Sequence, residues 1–492
     1  MKAINCTKSK TKITHHIIFL KILIASLSIN TYGQVAKDSL LNLATTEIGI
    51  LNFKKADLYL TEVEEKDSLN PRLLYLRAEM KLFQGEGIFL NYLEKIKKTG
   101  KHNIYNLMKL KHAVFIGLSE ADSLIQNYLA NYPENGEVNL MKWLLELDKG
   151  NFEHCKKTAK KISSETIFKF LPYLALHNSS WDRNYQNAIF YMDYVEQIIG
   201  KEFYGSKYRE ILGILSKTKT AIPENGNYEL PFASCGPGVG FYMIDEKGDS
   251  LKIEIDTGTG YNMMTVHDKS LGKSISGSDI LVTKNGISYN YMDKPADLHY
   301  KKAILANPPY KNLIFGYFDG RFSKADGCSS PFIFKNRAIH IDPQKEEVWL
   351  LDYNTLQNYI SENQDEIVKV PYIVRNGWIF IPCKVNGKEV LMQLETGSRD
   401  ICFNSLSLKA LNLESYSGAI EWNGKDYPID KVDCVLEIGR IKYQVEGGLV
   451  IKRIPNWYYG LASAGDIGPV FMNNFAYTID VFNQQIIFKI NR

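Results

Sequence analysis

The spacing of apolar residues changes once along the chain. From about Ala36 to Ser216 they recur at the three-to-four-residue interval of amphipathic helices, and proline is scarce. Three triplets share one pattern at i, i+4 and i+7: Ala56, Leu60 and Val63; Ala121, Ile125 and Tyr128; Ala188, Met192 and Val195. Their alanines lie 65 and 67 residues apart, as Gly85 and Gly150 lie 65 apart. Those intervals are close to twice a helix-turn-helix unit of about 34 residues. A small residue at a fixed place lets two helices approach, and stacked pairs then share one core. The pattern predicts a helical-repeat domain over 36–216, with a non-repeating helical bundle as the alternative.

The segment 217–227 is polar, contains Pro223 and Gly226, and reads as a linker. After Tyr228 the chain turns to short runs rich in Ile, Val, Tyr and Phe with turn signals between them, the pattern of strands. These runs repeat at an offset of 139 that drifts to 138. Phe241 matches Phe380, Gly248 matches Gly387, and Asp256-Thr257-Gly258-Thr259 matches Glu395-Thr396-Gly397-Ser398. Asn285-Gly286 with Tyr289 matches Asn423-Gly424 with Tyr427, Pro331 matches Pro469, and Asp342 matches Asp480. Ordered landmarks at a nearly constant offset indicate two copies of one unit, 228–352 and 371–492, joined by an inter-lobe segment 353–370. In each copy an apolar strand (Leu251–Ile255, Leu391–Leu394) delivers a carboxylate into a Thr-Gly loop. A hairpin with an Asn-Gly turn follows, and the final strands run over Ala338–Leu351 and Phe475–Ile490.

These residues resemble the aspartic protease superfamily, in its retropepsin-like and pepsin-like forms with two fused lobes. The resemblance rests on the hydrophobic-hydrophobic-Asp-Thr-Gly-Ser/Thr motif, the flap hairpin and the late hydrophobic-glycine segment, and it covers 228–492. The helical half weakly resembles tetratricopeptide repeats. The implied fold is multidomain: an all-α helical-repeat domain, then a duplicated all-β pair of aspartic-protease-like barrels. The implied activity is peptide-bond hydrolysis by a water activated between Asp256 and Glu395, with no cofactor and no metal. Close like charges cannot both ionise cheaply, so the pair would share one proton. Thr257, Gly258, Thr259, Thr396, Gly397 and Ser398 would support the dyad. Thr259 and Ser398 would bond the outer carboxylate oxygens, and Thr257 and Thr396 would brace the loops. The flap candidates are Asn285, Gly286, Tyr289, Asn423, Gly424 and Tyr427, which would close over an extended peptide.

Two positions depart from the family pattern. Glu395 stands where aspartate is expected, and one extra methylene misplaces a carboxylate by about 1 Å unless the backbone retreats, enough to cost about 10²-fold in rate. The late glycine is present as Gly468 after Asp466-Ile467, but Ser330 after Cys328-Ser329 takes its place in the first copy. The alternative function is therefore a catalytically inactive protein that binds extended peptides or partner proteins through the cleft and the helical repeats.

The 492 residues carry a formal charge of +4, but five lysines and no acid fall in residues 1–33. The remainder holds 54 basic and 55 acidic residues, which gives no electrostatic reason to expect nucleic acid as a partner. The lysine-rich start, the apolar stretch Ile17–Ile29 and the small or polar residues up to Gly33 have the order of a secretory signal peptide. The expectation is export to a periplasm or the medium, without stable membrane insertion once the leader is removed; an uncleaved anchor is the alternative. Export would permit disulfides among Cys155, Cys235, Cys328, Cys383, Cys402 and Cys434, whose pairing the spacing does not choose, and buried thiols fit equally well. Gly236-Pro237-Gly238-Val239-Gly240 precedes a strand rather than a helix and reads as an entry loop, not a dinucleotide site.

Overall fold

The computed structural model describes residues 37–48, 52–149, 226–244, 250–258, 325–334, 336–375, 378–422, 424–451 and 463–490, with short pieces between. Helices come first, and a β-rich region of several sheets follows. Among the described residues no helix is long and apolar enough to cross a membrane. The chain divides into two compact units: residues 1–82 with 88–109, and residues 83–87 with 110–492.

In the first unit, Ala56, Leu60 and Val63 are the buried stripe of the helix Phe53–Lys66. Arg77 is buried, yet its guanidinium is satisfied by the previous helix. It pairs with Asp57, donates to Glu64 Oε2 at 3.1 Å and to Thr61 Oγ1 at 2.9 Å. Pairing and hydrogen-bonding of this kind offset the cost of burying the charge.

The second unit contains helical segments as well as strands. Ala121, Ile125 and Tyr128 are the buried face of Ala121–Asn131; the third triplet, Ala188, Met192 and Val195, lies outside the described residues. The turn after the helix His102–Phe115 is bonded into the β-region. Leu391 N donates to Gly117 O at 2.8 Å, and Ser119 N reaches Glu389 O at 3.4 Å. Nearby, His112 Nε2 lies 3.1 Å from Leu406 O, and Ser405 Oγ donates to Gly85 O at 2.9 Å.

Two eight-stranded sheets share one strand order. The first runs Phe232–Cys235, Gly238–Ile244, Ser250–Ile255, Gly327–Ser329, Met263–Thr265, Tyr310–Phe318, Leu298–Leu305, Leu281–Val282. The second runs Ile373–Arg375, Trp378–Val385, Lys388–Leu394, Gly465–Ile467, Cys402–Asn404, Ile441–Ile451, Lys425–Ile438, Ser415–Trp422. In each, the second and seventh strands make an additional pairing. The Asn386-Gly387 hairpin has positive φ at both residues (48° and 77°), the conformation a tight two-residue turn demands. Gly236-Pro237 likewise forms the turn of a hairpin in which Cys235 faces Gly238.

A third sheet of six strands takes members from both copies. At its centre Ala338–Asp342 lies antiparallel to Ala476–Asp480, with His340 opposite Thr478 and their side chains 2.9 Å apart. Each expected final strand is in fact a hairpin. Asp342 Oδ1 accepts from Gln344 N and Lys345 N, and Asp480 Oδ1 accepts from Phe482 N and Asn483 N. These aspartates reverse the chain by capping free backbone donors. The inter-lobe segment forms the helix Tyr353–Glu362, whose N-cap Asp352 accepts from Thr355 N at 2.8 Å, and the strand Ile367–Pro371. One hydrophobic core runs through both copies, from Phe241, Ile253 and Phe334 to Phe403, Phe471 and Phe488. Among the described residues there is no disulfide; all six cysteines named above are buried.

Candidate functional site

The strands Ser250–Ile255 and Lys388–Leu394 end at Asp256 and Glu395, and each ending is held the same way. Asp256 N donates to Ser329 O at 2.9 Å, and Glu395 N donates to Ile467 O at 3.0 Å. The two following loops then interlock. Thr257 N donates to Thr396 Oγ1 at 2.9 Å, and Thr396 N returns the bond to Thr257 Oγ1 at 3.1 Å. Each hydroxyl also donates across to the other strand: Thr257 Oγ1 to Leu394 O at 2.5 Å, Thr396 Oγ1 to Ile255 O at 2.7 Å. Both threonines are sealed from solvent, at 0% and 2% exposure, so these bonds form without competition from water.

The interlock brings the half-buried carboxyls of Asp256 and Glu395 into direct hydrogen-bond contact. Each lies over the glycine of the opposite loop. A Cβ at Gly397 would stand 3.0 Å from Asp256 Oδ2, and one at Gly258 would stand 1.8 Å from Glu395 Oε2. A side chain at Gly258 would displace the Glu395 carboxyl. The unequal gaps show where the extra methylene of Glu395 goes: the backbone bonds of the two loops match, so the longer side chain advances onto the opposite loop.

Asp256 Oδ1 accepts from Gly258 N at 2.8 Å, and the Cys328 thiol bonds its carboxyl. Burial nevertheless raises Asp256 above the ordinary aspartate value, outweighing the bonds from Glu395, Gly258 and Cys328. Ser398 N donates to Glu395 O at 3.2 Å and closes the second loop. The bond anticipated from the Ser398 hydroxyl to the Glu395 carboxylate is made instead by Gln393, whose Nε2 donates to Glu395 Oε2 at 2.6 Å.

Glu254 and Gln393 belong to the site although the motif does not name them. They stand two residues before each carboxyl, and alternate residues of a strand share a face. That periodicity is the signal that could have found them. The neighbouring strands add a residue beside each: Cys328 opposite Glu254, and Asp466 opposite Gln393. Burial, and then the charge of Asp256, pushes Glu254 up to about 8. The turn at Gly238 packs against it, since a Cβ there would meet Glu254 Oε1 at 2.0 Å.

Of the other candidate positions, Gly424 has φ +72° in the turn between Ser415–Trp422 and Lys425–Ile438, and Tyr427 is exposed on that hairpin, opposite Ile420. Thr259, Asn285, Gly286, Tyr289 and Asn423 lie outside the described residues. Among the described residues no group of three or more His, Cys, Asp or Glu side chains could hold a metal ion.

No family model matches the chain, and no curated protein matches it. Among solved structures, conglutin gamma, a basic 7S globulin from lupine seeds, is similar over 54% of this chain and 94% of its own, at 10% identity and a TM-score of 0.34. Likeness at that level does not bear on function.

Proposed function

We propose that the chain is an exported aspartic-type endopeptidase, its β-region a pair of aspartic-protease-like barrels with an Asp256/Glu395 dyad. The observation that carries this reading is the reciprocal interlock of Thr257 with Thr396, which sets the two carboxyls in hydrogen-bond contact. Two carboxyls in contact hold a proton between them, and the raised position of Asp256 supports that state. In the reaction, the ionised carboxyl takes a proton from water as its oxygen attacks the peptide carbonyl carbon, and the protonated carboxyl gives its proton to the carbonyl oxygen. The tetrahedral intermediate then breaks its C–N bond. The first carboxyl passes its proton to the leaving nitrogen, and a hydroxyl of the intermediate reprotonates the second, which restores the starting state.

The direct reach of Glu395 to Asp256 favours a second reading, in which the carboxyls satisfy each other and the cleft binds extended peptides without cutting them. Cleavage of denatured protein at acid pH by the mature chain, set against Asp256→Asn, separates the two. Cleavage lost in the variant supports the hydrolase; equal signals from both chains leave only the binding reading.

A further inference from the structure

Four exposed lysines gather where the helix Phe89–Lys98 passes into the helix His102–Phe115: Lys95, Lys97, Lys98 and Lys101. Phe89, Leu93 and Ile96 are the buried stripe of the first helix. At about 100° per residue, Lys95 and Lys98 fall on the side away from that stripe. Ile88, 48% exposed, and the half-buried Tyr92 share that side, at i and i+4 before Lys95. Lys95 Nζ lies 5.2 Å from the centre of the Tyr92 ring, and Lys97 Nζ, on the flank, lies 5.9 Å from that of Tyr105. Elsewhere in the helical half Lys37, Lys55 and Lys66 each pair with a carboxylate. Among the described residues none of these four does. Residues 88–102 contain one acid, Glu94.

Helix stability accounts for part of this cluster. The carbonyl end of a helix favours cations, which suits Lys95, Lys97 and Lys98. The amide end disfavours them, yet Lys101 and His102 stand where the next helix begins, with no acid in its first turn. Positive charge placed against the local field is relieved by a partner that brings negative charge. We propose that this side of the helix Phe89–Lys98 is a docking surface for an anionic lipid bilayer, with the ammonium groups on headgroup phosphates and Ile88 and Tyr92 among the headgroups. Clustered lysines on an amphipathic helix are drawn to such a surface. An exposed isoleucine and a tyrosine in line with the lysines fit the boundary between headgroups and acyl chains, and an acidic polymer in water offers them nothing. The mode is adsorption, independent of whether the β-region cleaves peptides.

The test is co-sedimentation of the mature chain with vesicles. It should bind vesicles of equal parts phosphatidylglycerol and phosphatidylcholine, leave phosphatidylcholine alone unbound, and release as salt rises. Replacing Lys95, Lys97, Lys98 and Lys101 together by glutamine should weaken binding at least about tenfold. Removing the same charge from the β-region, through Lys369, Lys388, Lys409 and Lys425→Gln, should leave it unchanged. Ile88→Ser should weaken binding to vesicles and leave its salt dependence in place. A wild-type chain that does not sediment with anionic vesicles, or two fourfold variants that lose binding equally, overturns the proposal. So does patch-dependent binding to polyglutamate or an oligonucleotide with none to vesicles, which would assign the surface to an acidic polymer. Vesicle binding abolished by inorganic phosphate at constant ionic strength would point to a single-anion site and overturn it too. Should the fourfold variant not fold, Lys98→Glu alone binding like the wild type overturns it.

Discussion

Replacing Thr396 by valine probes the interlock while keeping the side chain's shape. The hydroxyl accepts from Thr257 N at 2.9 Å and donates to Ile255 O at 2.7 Å, both in a site closed to water. Valine leaves that donor and that acceptor without this partner, at about 1–3 kcal/mol for each buried group. The expected loss is therefore about 2–6 kcal/mol. Thr257→Val should cost a similar amount, because it orphans Thr396 N and Leu394 O in the same way. The two bonds close one ring between the loops, and opening one side lets the other lengthen. The double variant should accordingly lose about 1–2 kcal/mol less than the two singles together, within the range measured for residues of one network. The assay is urea unfolding of the full chain, followed by tryptophan fluorescence and far-ultraviolet circular dichroism, with coincident transitions required before free energies are compared. Singles costing under about 0.5 kcal/mol, or a double variant additive to within that margin, would refute the view that the two hydroxyls act as one device.

Glu254 holds its proton to about pH 8 in the fold instead of the ordinary 4.5. Its contribution to stability is fully present below 4.5 and is lost as pH rises through about 8. Glu254→Gln should remove that decline and gain on the wild type by up to roughly 5 kcal/mol at the alkaline end, read by urea titrations at matched pH; parallel pH profiles would count against it. His112 behaves in the opposite sense, since burial, only partly offset by its bond to Leu406 O, lowers it from 6.5 to about 4. Stability from its neutral form is present above 6.5 and lost as pH falls toward 4, so His112→Gln should flatten up to roughly 3 kcal/mol of acid destabilisation in the same titrations. Gly117 has φ +68°, and an added Cβ would meet Leu391 Cβ at 2.9 Å. Gly117→Val should cost at least about 1–3 kcal/mol from strain and overpacking, seen as a lower melting temperature and faster proteolysis within 110–148.

The order of helices before strands was legible because the apolar period changes at one place, around Tyr228. The buried stripes of Phe53–Lys66 and Ala121–Asn131 coincide with the alanine-led triplets for the same reason: a one-sided helix must repeat its apolar residues. The final hairpins were misread as unbroken strands because their turns carry Glu346 and Gln484 at positive φ (56° and 51°), where glycine or asparagine would ordinarily mark the reversal. At the site, the matching positions of Asp256 and Glu395 follow from the repeat, whereas their contact is a product of the folded arrangement. Glu254 and Gln393 were passed over because a polar residue in a half-apolar strand ordinarily faces water. Only the neighbouring strands Gly327–Ser329 and Gly465–Ile467 show which face is enclosed.

The edge bonds of the two equivalent strands carry a separate consequence. In the first copy Lys252 N donates to Asp326 Oδ2 at 2.9 Å, so that copy supplies its own acceptor. In the second, Ala464 stands where Asp326 does, and the equivalent donor, Leu391 N, goes to Gly117 O. The twin halves are thus not interchangeable parts. A second copy cut from the chain would leave that amide to water, whereas the first carries the acceptor for its own.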